Sequence, residues 1–132
     1  HLPEPTKQPW ETSGLEKLLV DIARLPVSSA FEDWERDLLG AIPQFLLNYT
    51  RYRDWFERET IHEIGQLVGE RFEDLSAADA ALSNVIADGD ADRDEALVRL
   101  LHKRSLRLSM IIAGTDPDDE NPLFHKLDPI LE

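Results

Sequence analysis

Apolar residues recur at helical spacing along most of the chain. Between Leu15 and Leu25 they return every three or four positions, with charged residues between them. This period is typical of a helix that buries one face. Proline predominates before this segment, and proline removes a backbone donor and favours extended structure, so residues 1–13 are expected to form an extended arm.

A second helix is predicted to begin at the capping box formed by Ser29 and Glu32. Its apolar face carries Phe31, Trp34, Leu38, Ala41 and Ile42. Gly40 and Pro43 favour a break or sharp bend, because an internal proline disrupts helical hydrogen bonding. Pro43 can then begin a third helix at its first position.

The third segment, residues 43–74, carries two apolar stripes that point in different directions. The first consists of Phe45, Tyr49, Tyr52 and Phe56, with Trp55 at its edge. The second consists of Ile61, Ile64, Val68 and Phe72, more than about 100° around the helix. Either the helix kinks near residues 57–60 or its halves pack on different neighbours. Gly65 and Gly69 indicate either a close backbone approach or an early end of the helix.

Two further helices complete the predicted architecture. A short one starts near Ser76 and ends at about Ala87, and a longer one runs from Asp92 to Ala113, capped by Gly114. No segment alternates as a strand. The prediction is an all-α, compact irregular bundle of about five helices, with the helical domain at residues 14–114. An acidic, proline-containing tail at residues 115–132 is expected to pack on or near it.

Charge and composition narrow the classes of partner. The 132 residues include 27 acids but only 14 Lys and Arg, which gives a formal net charge of −13. Nucleic acids and anionic lipids are disfavoured, since both bind largely through cationic side chains. No apolar run approaches the roughly 20 residues that span a bilayer, and the start does not resemble a signal peptide. The chain has no cysteine, and we expect a cytoplasmic protein.

One arginine occupies an unexpected position on the last helix. Arg104 falls among Leu97, Leu100, Leu101, Leu108 and Ile111 on the apolar face. Burying an unpaired guanidinium is costly, so the position predicts a matching carboxylate or a cleft that admits an anionic ligand. We assign Arg104 and Glu63 to this ligand site or buried ion pair.

A metal site is a further hypothesis. Glu59 and His62 have the Glu-x-x-His spacing of carboxylate-bridged metal bundles, with Glu63 as a candidate supplement. A second such element is missing, so the competing interpretation is a solvated helix face. No cofactor is predicted apart from a divalent metal at this alternative site.

The leading functional prediction is a non-catalytic interaction protein, either a small accessory subunit or a self-associating domain. It depends on two helices that are apolar on more than one side, which is typical of central or shared helices. The predicted interface residues are Tyr49, Tyr52, Trp55, Leu106 and Met110. No catalytic residues are assigned. The alternatives are a bundle that binds a metal or small ligand, and an acidic protein that occupies the basic groove of a nucleic-acid-binding partner.

Overall fold

The described part of the computed structural model, residues 2–5 and 9–113, is all-α and contains no strand. The helices are α1 (Pro9–Ala23), α2 (Ala30–Val68), α3 (Leu75–Asp88) and α4 (Asp94–Ala113), and a 3-10 turn (Ala91–Arg93) precedes α4. The all-α prediction is therefore confirmed. The predicted tail at residues 115–132 and the predicted cap Gly114 lie outside the described residues.

The chain divides into two compact units. Residues up to 53, together with 109–113, belong to the first unit, and Asp54–Leu108 form the second. The buried apolar residues of the first unit are Ala41, Leu47 and Ile111. The core of the second unit joins α2, α3 and α4 and consists of Ile64, Ala78, Leu82, Val85, Leu97 and Leu100.

The predicted break at Gly40 and Pro43 is wrong, because α2 runs without interruption through Pro43. A proline inside a helix removes one hydrogen bond and crowds the preceding turn, at a cost of about 3 kcal/mol. Ala41 and Leu47, on either side of it, are both at least 96% buried. Burial of such side chains offsets a local penalty of this size. Two predicted helices are consequently one.

The two halves of this long helix belong to different units. Residues up to Arg53 lie in the first unit, and those from Asp54 lie in the second. The change of apolar face along α2, which follows Phe56, therefore lies a few residues beyond the boundary between the units.

The helix α1 begins at Pro9, so residues 9–13 are helical and not part of an extended arm. Proline is favoured in the first helical turn, where its missing N–H has no intrahelical partner and its fixed φ suits the helix. Glu11 adds a carboxylate to this turn, which the helix dipole favours.

Glycines end α2 by a tight turn. Gly69 has φ of +82°, and its N–H and that of Glu70 both donate to the carbonyl oxygen of Gly65. This pattern is a glycine-based C-terminal cap. A Cβ atom at Gly65 would lie 2.7 Å from the carbonyl oxygen of Glu70. The close approach expected at Gly65 is thus made by the turn that follows its own helix.

Gly65→Ala is expected to lower the free energy of unfolding by about 2 kcal/mol, because the added methyl displaces backbone and not a flexible side chain. Gly40→Ala is the matched control. Its Cβ would meet Leu19 and Ile22 at 3.9 and 4.0 Å, and the better helix propensity should raise stability by about 0.5–1 kcal/mol. Urea denaturation measures both changes. Equal effects of the two substitutions would contradict this account of Gly65.

The helix α3 begins at Leu75, one residue before the predicted Ser76, and its N-cap is Asp74. The Asp74 carboxylate accepts a hydrogen bond of 2.8 Å from the Ala77 N–H. Gly89 ends the helix in the left-handed conformation, with φ of +64°. These two caps define the ends of α3. The buried residues between them, Ala78, Leu82 and Val85, belong to the core of the second unit.

Candidate functional site

Arg104 forms an ion pair with Asp79 within the second unit. Its two terminal nitrogens lie 2.5 and 3.0 Å from the two carboxylate oxygens. The side chains are 27% and 38% exposed. This two-point geometry matches the planar guanidinium to the carboxylate. The carboxylate required by Arg104 is therefore supplied by α3.

Glu63 is engaged elsewhere, so the structure does not bring it together with Arg104. A carboxylate oxygen of Glu63 lies 2.5 Å from Arg107 and 3.7 Å from Lys103. Glu63 and Arg107 are only 19% and 13% exposed. The other terminal nitrogen of Arg107 is buried and has no hydrogen-bond partner. The two residues assigned to one site thus belong to two separate ion pairs.

The candidate metal ligands do not converge. One ring nitrogen of His62 lies 3.0 Å from the Gln66 amide nitrogen. The Glu59 carboxylate lies 4.0 Å from Arg58, and Glu63 is held by Arg107. Within residues 2–5 and 9–113, no three His, Asp or Glu side chains are grouped so that they could hold a metal ion.

The five residues assigned to an interface are all half-buried. Tyr49, Tyr52 and Met110 belong to the first unit, while Trp55 and Leu106 belong to the second. Tyr49 packs against Phe45, with ring centroids 5.9 Å apart. Other apolar residues of the first unit are more exposed, among them Trp10 on α1 and Phe31 on α2.

The N-terminal half of α2 presents an exposed apolar face. Its members, which we call the α2 apolar face, are Phe31 (63% exposed), Trp34 (51%), Leu39 (58%), Ile42 (57%) and Leu46 (43%). The Phe31 and Trp34 rings contact each other, with centroids 5.8 Å apart. At about 100° per residue, the five positions span about 140° of the helix circumference.

The opposite side of α2 is occupied by α1. The Cα of Gly40 approaches Leu19 and Ile22 closely enough that a Cβ there would be in van der Waals contact with both. Further along, Arg51 donates to the Glu16 carboxylate over 2.8 Å. Gly40 lies about 160° from Ile42 on the helical wheel. Within residues 9–113, the contacts with α1 therefore lie on the side of α2 away from the α2 apolar face.

One carboxylate lies within this face and another lies beside it. Glu35 falls between Ile42 and Leu46 on the helical wheel, and Glu32 falls about 20° beyond Leu39. Hydrogen bonds from the Ser28 hydroxyl and backbone N–H hold the pKa of Glu32 below its usual value. Glu32 is therefore ionised at neutral pH.

A second feature is an open groove of about 850 Å³ in the second unit. It runs along the C-terminal part of α2 and the turn that follows. Its walls combine Ile61 and Phe72 with both acidic and basic side chains. The groove includes His62, but not Glu59 or Glu63, so it does not join the three predicted metal ligands.

The exposure of the α2 apolar face was not predicted. Phe31, Trp34 and Ile42 were assigned to one face of a short helix and separated from the aromatic stripe that begins at Phe45. One uninterrupted helix puts both sets on a single stripe. The constant angular step across residues 31–56 is the signal that could have revealed this.

No helix in the described residues has the length and apolar character needed to cross a membrane. Comparison with protein-family models, curated proteins and solved structures gives no significant match.

Proposed function

We propose that the protein is a non-catalytic interaction protein that binds another protein chain through the α2 apolar face. The observation that carries this proposal is the exposure of five large apolar side chains on one side of a single helix between residues 31 and 46. Single exposed apolar residues are ordinary on protein surfaces, whereas contiguous apolar patches mark binding sites.

The face has the composition of an interface centre. It contains Trp34 and Phe31, and aromatic residues are enriched where binding energy concentrates. Covering five roughly half-exposed apolar side chains yields about 5 kcal/mol. Association itself costs about 4–15 kcal/mol. Burial of this face alone therefore does not offset the full cost of association, and a partner must also make contacts outside the face.

The ion pairs of the second unit support a structural role for Arg104 and Glu63, the two residues assigned to a ligand site or buried ion pair. Arg104 is satisfied by Asp79 and Glu63 by Arg107. Side chains that bind a substrate or an anion keep donors or acceptors available for it, whereas Asp79 and Glu63 are each paired with an arginine of α4. This favours interaction over small-ligand binding.

A site-specific photo-cross-linker tests the proposal in the cells that produce the protein. A benzoylphenylalanine at Ile42 is expected to give discrete protein adducts, because it lies in the α2 apolar face. The same group at Val98, which is 58% exposed in the second unit, is the control and should give none of these adducts. Trp34→Ser should weaken the adducts formed at position 42.

Two results would count against this function. Equal adduct patterns from positions 42 and 98 would show that the face has no special role. Adducts from position 42 that persist unchanged in the Trp34→Ser background would show that cross-linking does not depend on the face.

A further inference from the structure

We infer that the occupant of the α2 apolar face is an amphipathic helix of another protein, with Lys or Arg beside its apolar stripe. This inference rests on the proposed function and specifies the chemistry of the partner. It combines the shape of the face with the charges within and beside it.

The shape of the face suits a helix. Residues 31–46 extend over about 22 Å at 1.5 Å per residue. The exposed side chains include the pairs 31/34, 39/42 and 42/46, which have the three- and four-residue spacing at which two helices interdigitate. A partner helix of about four turns therefore covers the whole face. This mode of recognition uses anchors at matching intervals on the partner.

The charges along this part of α2 favour a cationic partner. Residues 30–46 contain four acids and one base. Arg36 is already paired with Asp33, so it does not neutralise the others. Glu35, Asp37 and Glu32 are left without a cation among the described residues. Lys or Arg at the edge of a partner helix supplies the missing charges and directs the two surfaces together.

A second copy of this chain fits less well. In a parallel pairing of two α2 apolar faces, Glu35 of one copy would approach Glu35 of the other. In an antiparallel pairing about the centre of residues 31–46, Glu35 would lie against Ile42 of the other copy. The first arrangement places like charges together, and the second desolvates a carboxylate without a partner. Neither arrangement provides a cation.

The test is a selection from a displayed library of helical peptides. All members keep the same leucines at helical spacing, and the flanking positions vary among Lys, Arg, Glu, Gln and Ser. Peptides selected on the full chain should be enriched in Lys and Arg at the flanks. Fluorescence anisotropy with the selected peptide then measures affinity, which Ile42→Ser should abolish and added salt should reduce.

Charge reversal separates the specific contact from the net charge. Glu35→Lys is expected to weaken binding of the selected peptide about tenfold. Asp88→Lys is the matched control, since it makes the same change in net charge at an exposed residue of the second unit. It should change the affinity less than about twofold.

The possible outcomes distinguish this inference from the proposed function. Selected peptides with acidic or uncharged flanks, or equal effects of Glu35→Lys and Asp88→Lys, overturn the inference alone, provided that Ile42→Ser still abolishes binding. A dimer in sedimentation velocity that Ile42→Ser dissociates makes a second copy the occupant, which also overturns the inference alone. No enrichment on the wild type overturns the inference alone, because the library represents only helical partners. Binding that Ile42→Ser leaves unchanged overturns both.

Discussion

Replacing Ile64 by alanine is expected to lower the free energy of unfolding by about 3 kcal/mol. Ile64 is fully buried and lies in the core that joins α2 to α3 and α4. Alanine removes apolar contacts and leaves a cavity that the surrounding helices close only partly. Urea denaturation followed by circular dichroism measures the loss, with the urea midpoint as the readout.

Ile86→Ala provides the control for this effect. Ile86 lies on α3 of the same unit, but its side chain is 49% exposed, so the same substitution should cost less than about 1 kcal/mol. Similar losses at both positions would mean that Ile64 does not lie in a specifically packed core. A changed dependence of the free energy on urea would instead indicate an altered unfolded state.

Helical periodicity and local hydrogen bonding explain how much of the fold could be predicted. The end of α3 at Gly89 and the extent of α4 follow from chemistry within a few residues, and both agree with the predictions closely. The end of α2 at Gly69 is likewise local, because a left-handed glycine closes the helix. Such signals act through neighbours in the chain and can be recognised without tertiary structure.

The missed features depend on tertiary packing. A local rule predicts a break at Pro43, but burial of Ala41 and Leu47 outweighs the hydrogen bond that is lost. An apolar helical stripe has the same pattern whether a neighbour covers it or not. The sequence therefore predicts Phe31, Trp34 and Ile42 on one apolar face, but neither the exposure of these residues nor the presence of Leu39 and Leu46 beside them.

The ion pair of Arg104 was also predictable only in the part that depends on local sequence. The position of Arg104 on an apolar face was sufficient to predict that it needs a carboxylate or an anion. It was not sufficient to select Asp79, which is 25 residues away along the chain and was expected near the start of a short helix. Choosing among several acids requires knowing which helices are neighbours, and periodicity does not contain that information.

Glu63→Leu is expected to lower the free energy of unfolding by about 3 kcal/mol, because it leaves the guanidinium of Arg107 buried without the carboxylate that pairs with it. Arg107 is 13% exposed, and one of its nitrogens already has no hydrogen-bond partner. Lys103→Leu is the control. Lys103 is 63% exposed and 3.7 Å from Glu63, so its loss should cost less than about 0.5 kcal/mol.

The double variant Glu63→Leu with Arg107→Leu determines why Glu63 matters. If the loss arises from an uncompensated charge, two leucines in contact should recover most of the stability that the single substitution removes. If it arises from favourable attraction within the pair, the double variant should remain as unstable as Glu63→Leu. We expect recovery to within about 1 kcal/mol of the wild type in urea denaturation. Recovery would show that Glu63 matters because it neutralises the buried charge of Arg107 between α2 and α4. A double variant with no recovery would contradict this explanation.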